Sequence, residues 1–206
     1  MDLLISTRNP HKLDEIRACL AAAHPHLLSA FDLPDLPEVE EDGDTLEANA
    51  MKKASVLARA AGLWAIADDT GLEVEALGGA PGVYSARYAG PDATYADNCA
   101  KLLRALRDQE DRHARFRTVI ALSDPHGECR WVEGVCEGDI LHEARGDGGF
   151  GYDPLFRPAG HEETFAEMAA ELKNNISHRG RALRKAAEAW SAILAQAPSS
   201  WAEANV

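Results

Sequence analysis

Residues 2–12, DLLISTRNPHK, constrain the fold most. A short apolar run over 2–6 reads as a buried strand. It stops at a polar turn, and a helix start follows at once. Asn9 is a natural N-cap, and Pro10 suits the first helical position. Leu13, Ile16, Leu20 and Ala23 then recur at spacings of three and four, which predicts a helix over 10–23. The same order returns further on. Residues 45–61 read as a helix with Leu46, Ala50, Ala54, Leu57 and Ala61 on one face and Gly62 as its C-cap, and LWAIA at 63–67 reads as a strand. Extended runs alternating with helices point to an α/β fold.

The rest of the chain adds a mixed character. LLSAF (27–31) is a candidate second strand, and LEVEAL (72–77) continues the extended path of 63–67. An amphipathic helix is predicted over 94–107, with Tyr95, Cys99, Leu102 and Leu106 on one face. RFRTVIALSD and ECRWVEGVCEG flank PHG, which predicts a long hairpin. A closing helix is predicted over 178–196, capped by Ser177, with Leu183, Ala187, Trp190 and Leu194 as its apolar face. Residues 34–44 form an acidic loop, and 78–90 and 145–156 form glycine-rich loops. An early alternation and a late hairpin favour a mixed sheet.

Several function classes drop out. The chain has 206 residues, enough for one domain or one domain with two lobes. No apolar run approaches the roughly 20 residues that span a bilayer, and MDLLISTRNP has neither a basic n-region nor a long apolar h-region. The expectation is no membrane partner. Cys19, Cys99, Cys129 and Cys136 lie far apart and form no C-x-x-C pair, so they read as reduced thiols of a cytoplasmic protein. The net charge of −13 repels a nucleic-acid backbone, but it leaves room for a small phosphate ligand met by local cations or by a metal ion.

Five stretches carry candidate chemistry. In STRNPHK (6–12) a strand-to-helix turn offers unpaired amides and the positive end of a helix dipole, and Lys12 adds a cation where the dipole disfavours one. A bound phosphate accounts for that arrangement, and so does a capped helix with a solvated lysine. EVEEDGD (38–44) is a source of one magnesium ligand or a solvated charge run. ADDTG (67–71) places Asp68 and Asp69 where an apolar strand ends. Adjacent side chains on an extended segment point to opposite sides, so the two acids have different tasks, and only one needs to face a ligand. An ordinary Asx-type turn is the competing reading. GGFGYDPLF (148–156) offers Phe150 and Tyr152 as stacking faces. KNNISHRGRAL (173–183) gathers Lys173, His178, Arg179 and Arg181 at a helix start. Together they describe phosphate-binding turns, carboxylates for a divalent ion, an aromatic loop and convergent donors: a site for a nucleoside phosphate and a metal.

These motifs, in this order, resemble the inosine triphosphate pyrophosphatases, the non-canonical purine NTP pyrophosphatase (dITP/XTP pyrophosphatase) family. The similarity runs over nearly the whole chain through STRNPHK, EEDGDTLEANAMKKA, AIADDTGLEVEALGGAPGVYSARYAG, FGYDPLF and KNNISHRGRAL. It implies one two-lobed domain over 1–206: an elongated mixed β-sheet flanked by helices, with a central cleft, in a homodimer. It implies Mg2+-dependent attack of water on the α-phosphorus, giving the nucleoside monophosphate and pyrophosphate. By motif, Thr7, Arg8, Asn9, Pro10, His11 and Lys12 cradle the triphosphate with support from Lys53. Glu40 and Asp69 hold magnesium, and Asp69 is also the base. Thr70 contacts substrate, Phe150, Gly151, Tyr152 and Asp153 hold the base or sugar, and Lys173, His178 and Arg179 contact the base. Two positions depart from the family pattern. Arg8 replaces a common glycine. Ala48 replaces a common glutamate, which Glu47, about 100° away around a helix, does not replace. A nucleotide pyrophosphatase acting on modified pyrimidine triphosphates and a non-catalytic nucleotide-binding module are the competing classes.

Overall fold

A computed structural model describes residues 2–20 and 26–195. Its strands are β1 (Leu3–Ile5), β2 (Leu27–Ser29), β3 (Trp64–Val74), β4 (Pro81–Gly82), β5 (His113–Ser123), β6 (Cys129–Ile140) and β7 (Phe156–Pro158). Its α-helices are α1 (Pro10–Leu20), α2 (Leu46–Ala61), α3 (Tyr95–Ala105), α4 (Ala170–Ile176), α5 (His178–Ala189) and α6 (Ser191–Leu194). The strands form one seven-stranded mixed sheet in the order β2-β1-β3-β5-β6-β7, with β4 paired to β3. β1 runs parallel to β2 and to β3, with Leu3 opposite Leu27 and Trp64. β4 is antiparallel to β3, and β7 is antiparallel to β6.

Contacts divide the chain into two compact units. The first comprises 1–69, 119–133 and 182–206, and the second 70–118 and 134–181. In the first unit β1 and β3 are buried on both sides. Leu3, Ile5 and Ile66 pack with Leu13, Ile16 and Leu20 of α1. Leu4 and Ala65, on the alternate side of the same strands, pack with Leu57 and Ala58 of α2. In the second unit Leu72, Val74, Leu102, Phe116, Phe156 and Phe165 form a separate apolar cluster.

The predicted caps are present. The side-chain oxygen of Asn9 accepts from the amides of His11 and Lys12 at 3.0 and 3.3 Å. Gly62 ends α2 in the left-handed region, and the Ser177 hydroxyl accepts from the Gly180 amide at 3.2 Å. Three readings differ. The predicted 178–196 helix is α5 followed by the short α6, and residue 196 lies outside the described residues, as does Ala23 of the predicted first helix. The end of the 145–156 loop and the segment beyond it hold β7 and α4, which no periodicity marked. β3 does not stop at the paired aspartates but runs on to Val74, pairing beyond them with β4 through Leu72 and Glu73.

Candidate active site

The face rule that packs β3 also sorts its acids. Asp68 shares a face with Ile66, and Asp69 shares one with Ala65 and Ala67. Asp68, 1% exposed, meets Lys12 of α1, with Nζ to Oδ2 at 3.0 Å. Asp69, 6% exposed, approaches Lys53 of α2 at 3.9 Å. Lys53 is held from two further directions: Nζ donates to the main-chain carbonyl of Asp68 at 2.6 Å and to Oε1 of Glu41 at 2.9 Å. The first unit thus carries two lysines, one from each helix, interlocked with three carboxylates.

Burial sets the charge states of this group. It pushes the Asp69 carboxyl above the usual carboxylate range. Lys53 and Lys12 pull it back, Glu41 and Asp68 add to the rise, and the outcome is a raised pKa. Burial alone would push Lys53 down, but Asp68, Glu41 and Asp69 together outweigh it and keep the ammonium charged. A carboxylate held above its ordinary range is the better proton acceptor.

The turn that precedes α1 is more occupied than its sequence implies. Thr7 is buried, and its hydroxyl accepts from the Asn9 amide at 3.2 Å. The Asn9 side chain takes the His11 and Lys12 amides, so these two first-turn donors are already capped. The cation at Lys12, unfavourable for the helix dipole, is explained by Asp68. Arg8 turns to the acidic loop, donating to Glu38 at 3.1 Å and to the Leu36 carbonyl at 2.8 Å. Pro10 and His11 are exposed. Glu40 is exposed as well, and it is its neighbour Glu41 that meets Lys53.

The second unit holds Thr70 and the aromatic and basic candidates. Asp153 organises the glycine-rich loop. Its Oδ2 accepts from the Phe150 amide at 2.8 Å and from Lys173 Nζ at 2.7 Å. Gly149 sits at φ +69, and a Cβ there would overlap the Asp153 carboxylate, so the loop requires glycine. The Phe150 ring carries two cations, Lys173 Nζ at 5.1 Å and the Arg179 guanidinium at 5.5 Å. Tyr152 points into the core and donates to the Ser85 carbonyl at 2.9 Å, so Phe150 is the available stacking face of this loop. The Gly151 carbonyl accepts from the Cys99 thiol. Arg179 Nη2 donates to the Thr70 hydroxyl at 3.1 Å. His178, 3% exposed, stacks on Phe116 with centroids 4.5 Å apart and planes 16° from parallel.

The family model described as the Ham1 family matches residues 3–189. The chain belongs to the Ham1 family. Relatives at 54% and 50% identity, both named dITP/XTP pyrophosphatase, come from Geobacter sulfurreducens and Desulforamulus reducens. The first covers 88% of this chain and 92% of its own, the second 91% and 94%. A Ham1 protein from Coxiella burnetii superposes with a TM-score of 0.85 at 40% identity, over 96% of this chain and all of its own. A nucleoside-triphosphatase / dITP/XTP pyrophosphatase from Mycobacterium abscessus superposes with a TM-score of 0.73 at 44% identity, over 90% and 98%.

In this Ham1-family chain the sequence-predicted residues fall in two groups. Thr7, Arg8, Asn9, Pro10, His11, Lys12, Glu40, Lys53 and Asp69 belong to the first unit. Thr70, Phe150, Gly151, Tyr152, Asp153, Lys173, His178 and Arg179 belong to the second. Three contributors carry no distinguishing mark in the sequence: Glu41, Phe116 and Thr118. Glu41 stands in an acidic run where charge pattern cannot separate neighbours. Phe116 and Thr118 alternate along β5 like ordinary core residues, and only contact partners distinguish them.

Proposed function

We propose that the protein hydrolyses non-canonical purine nucleoside triphosphates (ITP, dITP, XTP) to the nucleoside monophosphate and pyrophosphate. The observation that carries this reading is the pair of adjacent acids on β3, each faced by a lysine from a different helix, Asp68 by Lys12 and Asp69 by Lys53. The names of the relatives from Geobacter sulfurreducens and Desulforamulus reducens support the same substrate class. Thr7, Lys12 and Lys53 would bind the triphosphate, and Asp69 would take the proton of the attacking water. Phe150 would stack on the base, while Lys173, His178 and Arg179 present donors to it.

The donor set fits a hard divalent cation such as Mg2+: carboxylate oxygens from Asp69 and from the acidic loop, Glu40 or Glu41. Among the described residues no three His, Cys, Asp or Glu side chains form a metal cage by themselves. A cation here would therefore be shared with substrate oxygens and water, the arrangement magnesium favours. Such an ion neutralises charge developing on the phosphates. We read the chain further as a single two-lobed domain, as a homodimer and as cytoplasmic. That Cys19, Cys99, Cys129 and Cys136 form no disulfide supports a reducing compartment, and no helix of the described residues is long and apolar enough to cross a membrane.

Base choice follows from hydrogen-bond polarity. Inosine and xanthosine carry an accepting carbonyl at position 6, where adenine carries a donating amino group. A pocket of donors leaves donor facing donor with adenine, and such a mismatch discriminates by roughly 10⁴. The test is one reaction series: ITP, XTP and ATP with Mg2+, products identified. Inosine monophosphate and pyrophosphate, formed far faster than any product of ATP, are expected. Comparable ATP turnover, phosphate in place of pyrophosphate, or a preference for modified pyrimidine triphosphates would overturn the reading.

A further inference from the structure

His178 and Arg179 are consecutive, the first two residues of α5, and one face of β5 holds both. Ala114, Phe116 and Thr118 are its inward residues, alternating with Arg115 and Arg117. The Phe116 ring lies flat against the His178 imidazole. Two positions on, the Thr118 hydroxyl lies 2.6 Å from that of Thr70, whose oxygen accepts from Arg179 at 3.1 Å. Thr118 is wholly buried and Phe116 nearly so, so they act through the residues they touch.

We propose that Phe116 and Thr118 are the positioning residues that set purine-base specificity, Phe116 by fixing the plane of His178 and Thr118 by fixing the Thr70 hydroxyl on which the Arg179 guanidinium rests. The inference rests on the functional reading above. A guanidinium is a planar fork whose donors work only when aimed. A hydroxyl with two partners cannot rotate freely, so Thr118 restricts the acceptor that aims the fork. Loss of this restraint blurs the contrast between a carbonyl and an amino group at position 6. The lysines and carboxylates of the first unit do not read the base, so the cost falls on discrimination.

The test compares kcat/KM for ITP and ATP in wild type, Thr118→Val, Thr118→Ser and Phe116→Leu, with Tm as the check on folding. Valine suits a strand and exchanges only the hydroxyl for a methyl group of similar size. Thr118→Val is expected to lower the ITP-to-ATP ratio about tenfold, the worth of one well-placed hydrogen bond. Thr118→Ser should retain the ratio within about twofold, since it keeps that bond, and Phe116→Leu should lower it. An unchanged ratio in folded Thr118→Val, or an equal fall for both substrates, overturns the proposal. If that variant does not fold, Thr118→Ala is read by the same two criteria. A wild-type protein without an ITP preference would remove the functional reading itself, a different result from a preference that Thr118→Val leaves intact.

Discussion

Gly180→Ala sets helix propensity against packing. Gly180 is the third residue of α5, directly after His178 and Arg179. Alanine is favoured over glycine inside a helix by about 1 kcal/mol, so propensity alone predicts a gain. The structure predicts a loss. A Cβ at this position would overlap the main-chain carbonyl oxygen of Asn174, lie 2.8 Å from its carbonyl carbon and lie 3.3 Å from the Ser177 Oγ. The first two atoms are backbone of α4 and have no rotamer to change. Overpacking costs about 1–3 kcal/mol, and a clash with main chain belongs at the upper end. Subtracting the propensity gain leaves about 2 kcal/mol of destabilisation. At about 2–4 °C per kcal/mol for a chain of this size, Tm should fall by about 4–8 °C. The start of α5 must shift to make room, so the ITP-to-ATP ratio should fall as well. Thermal unfolding followed by far-UV circular dichroism, with the two-substrate assay on the same preparation, measures both. An unchanged or raised Tm would refute the reasoning, since it would mean the α4–α5 junction relaxes at no cost.

Asp69→Asn removes the proposed base and should lower kcat by about 10²–10⁴ while the protein stays folded, with near wild-type turnover sinking the assignment. Glu41→Gln removes a charge-assisted bond to Lys53 and should lower kcat/KM by about tenfold or more, whereas Glu40→Gln at an exposed position should stay within about twofold; the reverse order would make Glu40 the acid that serves. Burial pushes the Cys99 and Cys136 thiols up to about 11. Their thiolate fraction at pH 7.5 is therefore about 100 times below that of an ordinary cysteine, and iodoacetamide should label them correspondingly slowly until the protein is unfolded. The labelling should speed up as pH rises toward that value, and fast labelling of Cys99 or Cys136 in the native protein at pH 7.5, located by peptide mapping, would refute the burial argument.

The parts of this fold legible in the sequence are those set by local chemistry. Asn9, Gly62 and Ser177 are caps whose partners lie within four residues along the chain, and all three act as such in the structure. The hairpin around PHG is equally plain. β7 and α4 escape because they are three and seven residues long and their pairing is non-local, so neither has room for a period. The site shows the same division. Asp68 and Asp69 stand out because two adjacent carboxylates in an apolar run demand partners. Which lysine serves which acid depends on the helix packed over each face of β3, and adjacent acids in sequence carry no sign of that. Tyr152 and Phe150 look interchangeable as aromatic faces. Only packing shows that Tyr152 belongs to the core and that two cations gather over Phe150.

A net charge of −13 and a triphosphate substrate are reconciled at the scale of single residues. In the first unit Lys12 and Lys53 face Asp68, Asp69 and Glu41, two positive charges against three negative. Such a cluster does not attract a polyphosphate by net charge. Its carboxylates hold the Lys53 ammonium charged against the push of burial and pair Lys12 as well, so no cationic patch is presented to other polyanions. A divalent ion arriving with the substrate would change this balance, since carboxylates that bind the ion give up their hold on the lysines. Substrate phosphate oxygens would then be the better partners for the two ammonium groups. On the proposed reading, the arrangement would therefore favour a metal–substrate complex over the bare triphosphate. Asp68, whose side chain holds Lys12 and whose carbonyl holds Lys53, is the residue through which the two lysines would be kept in register during that exchange.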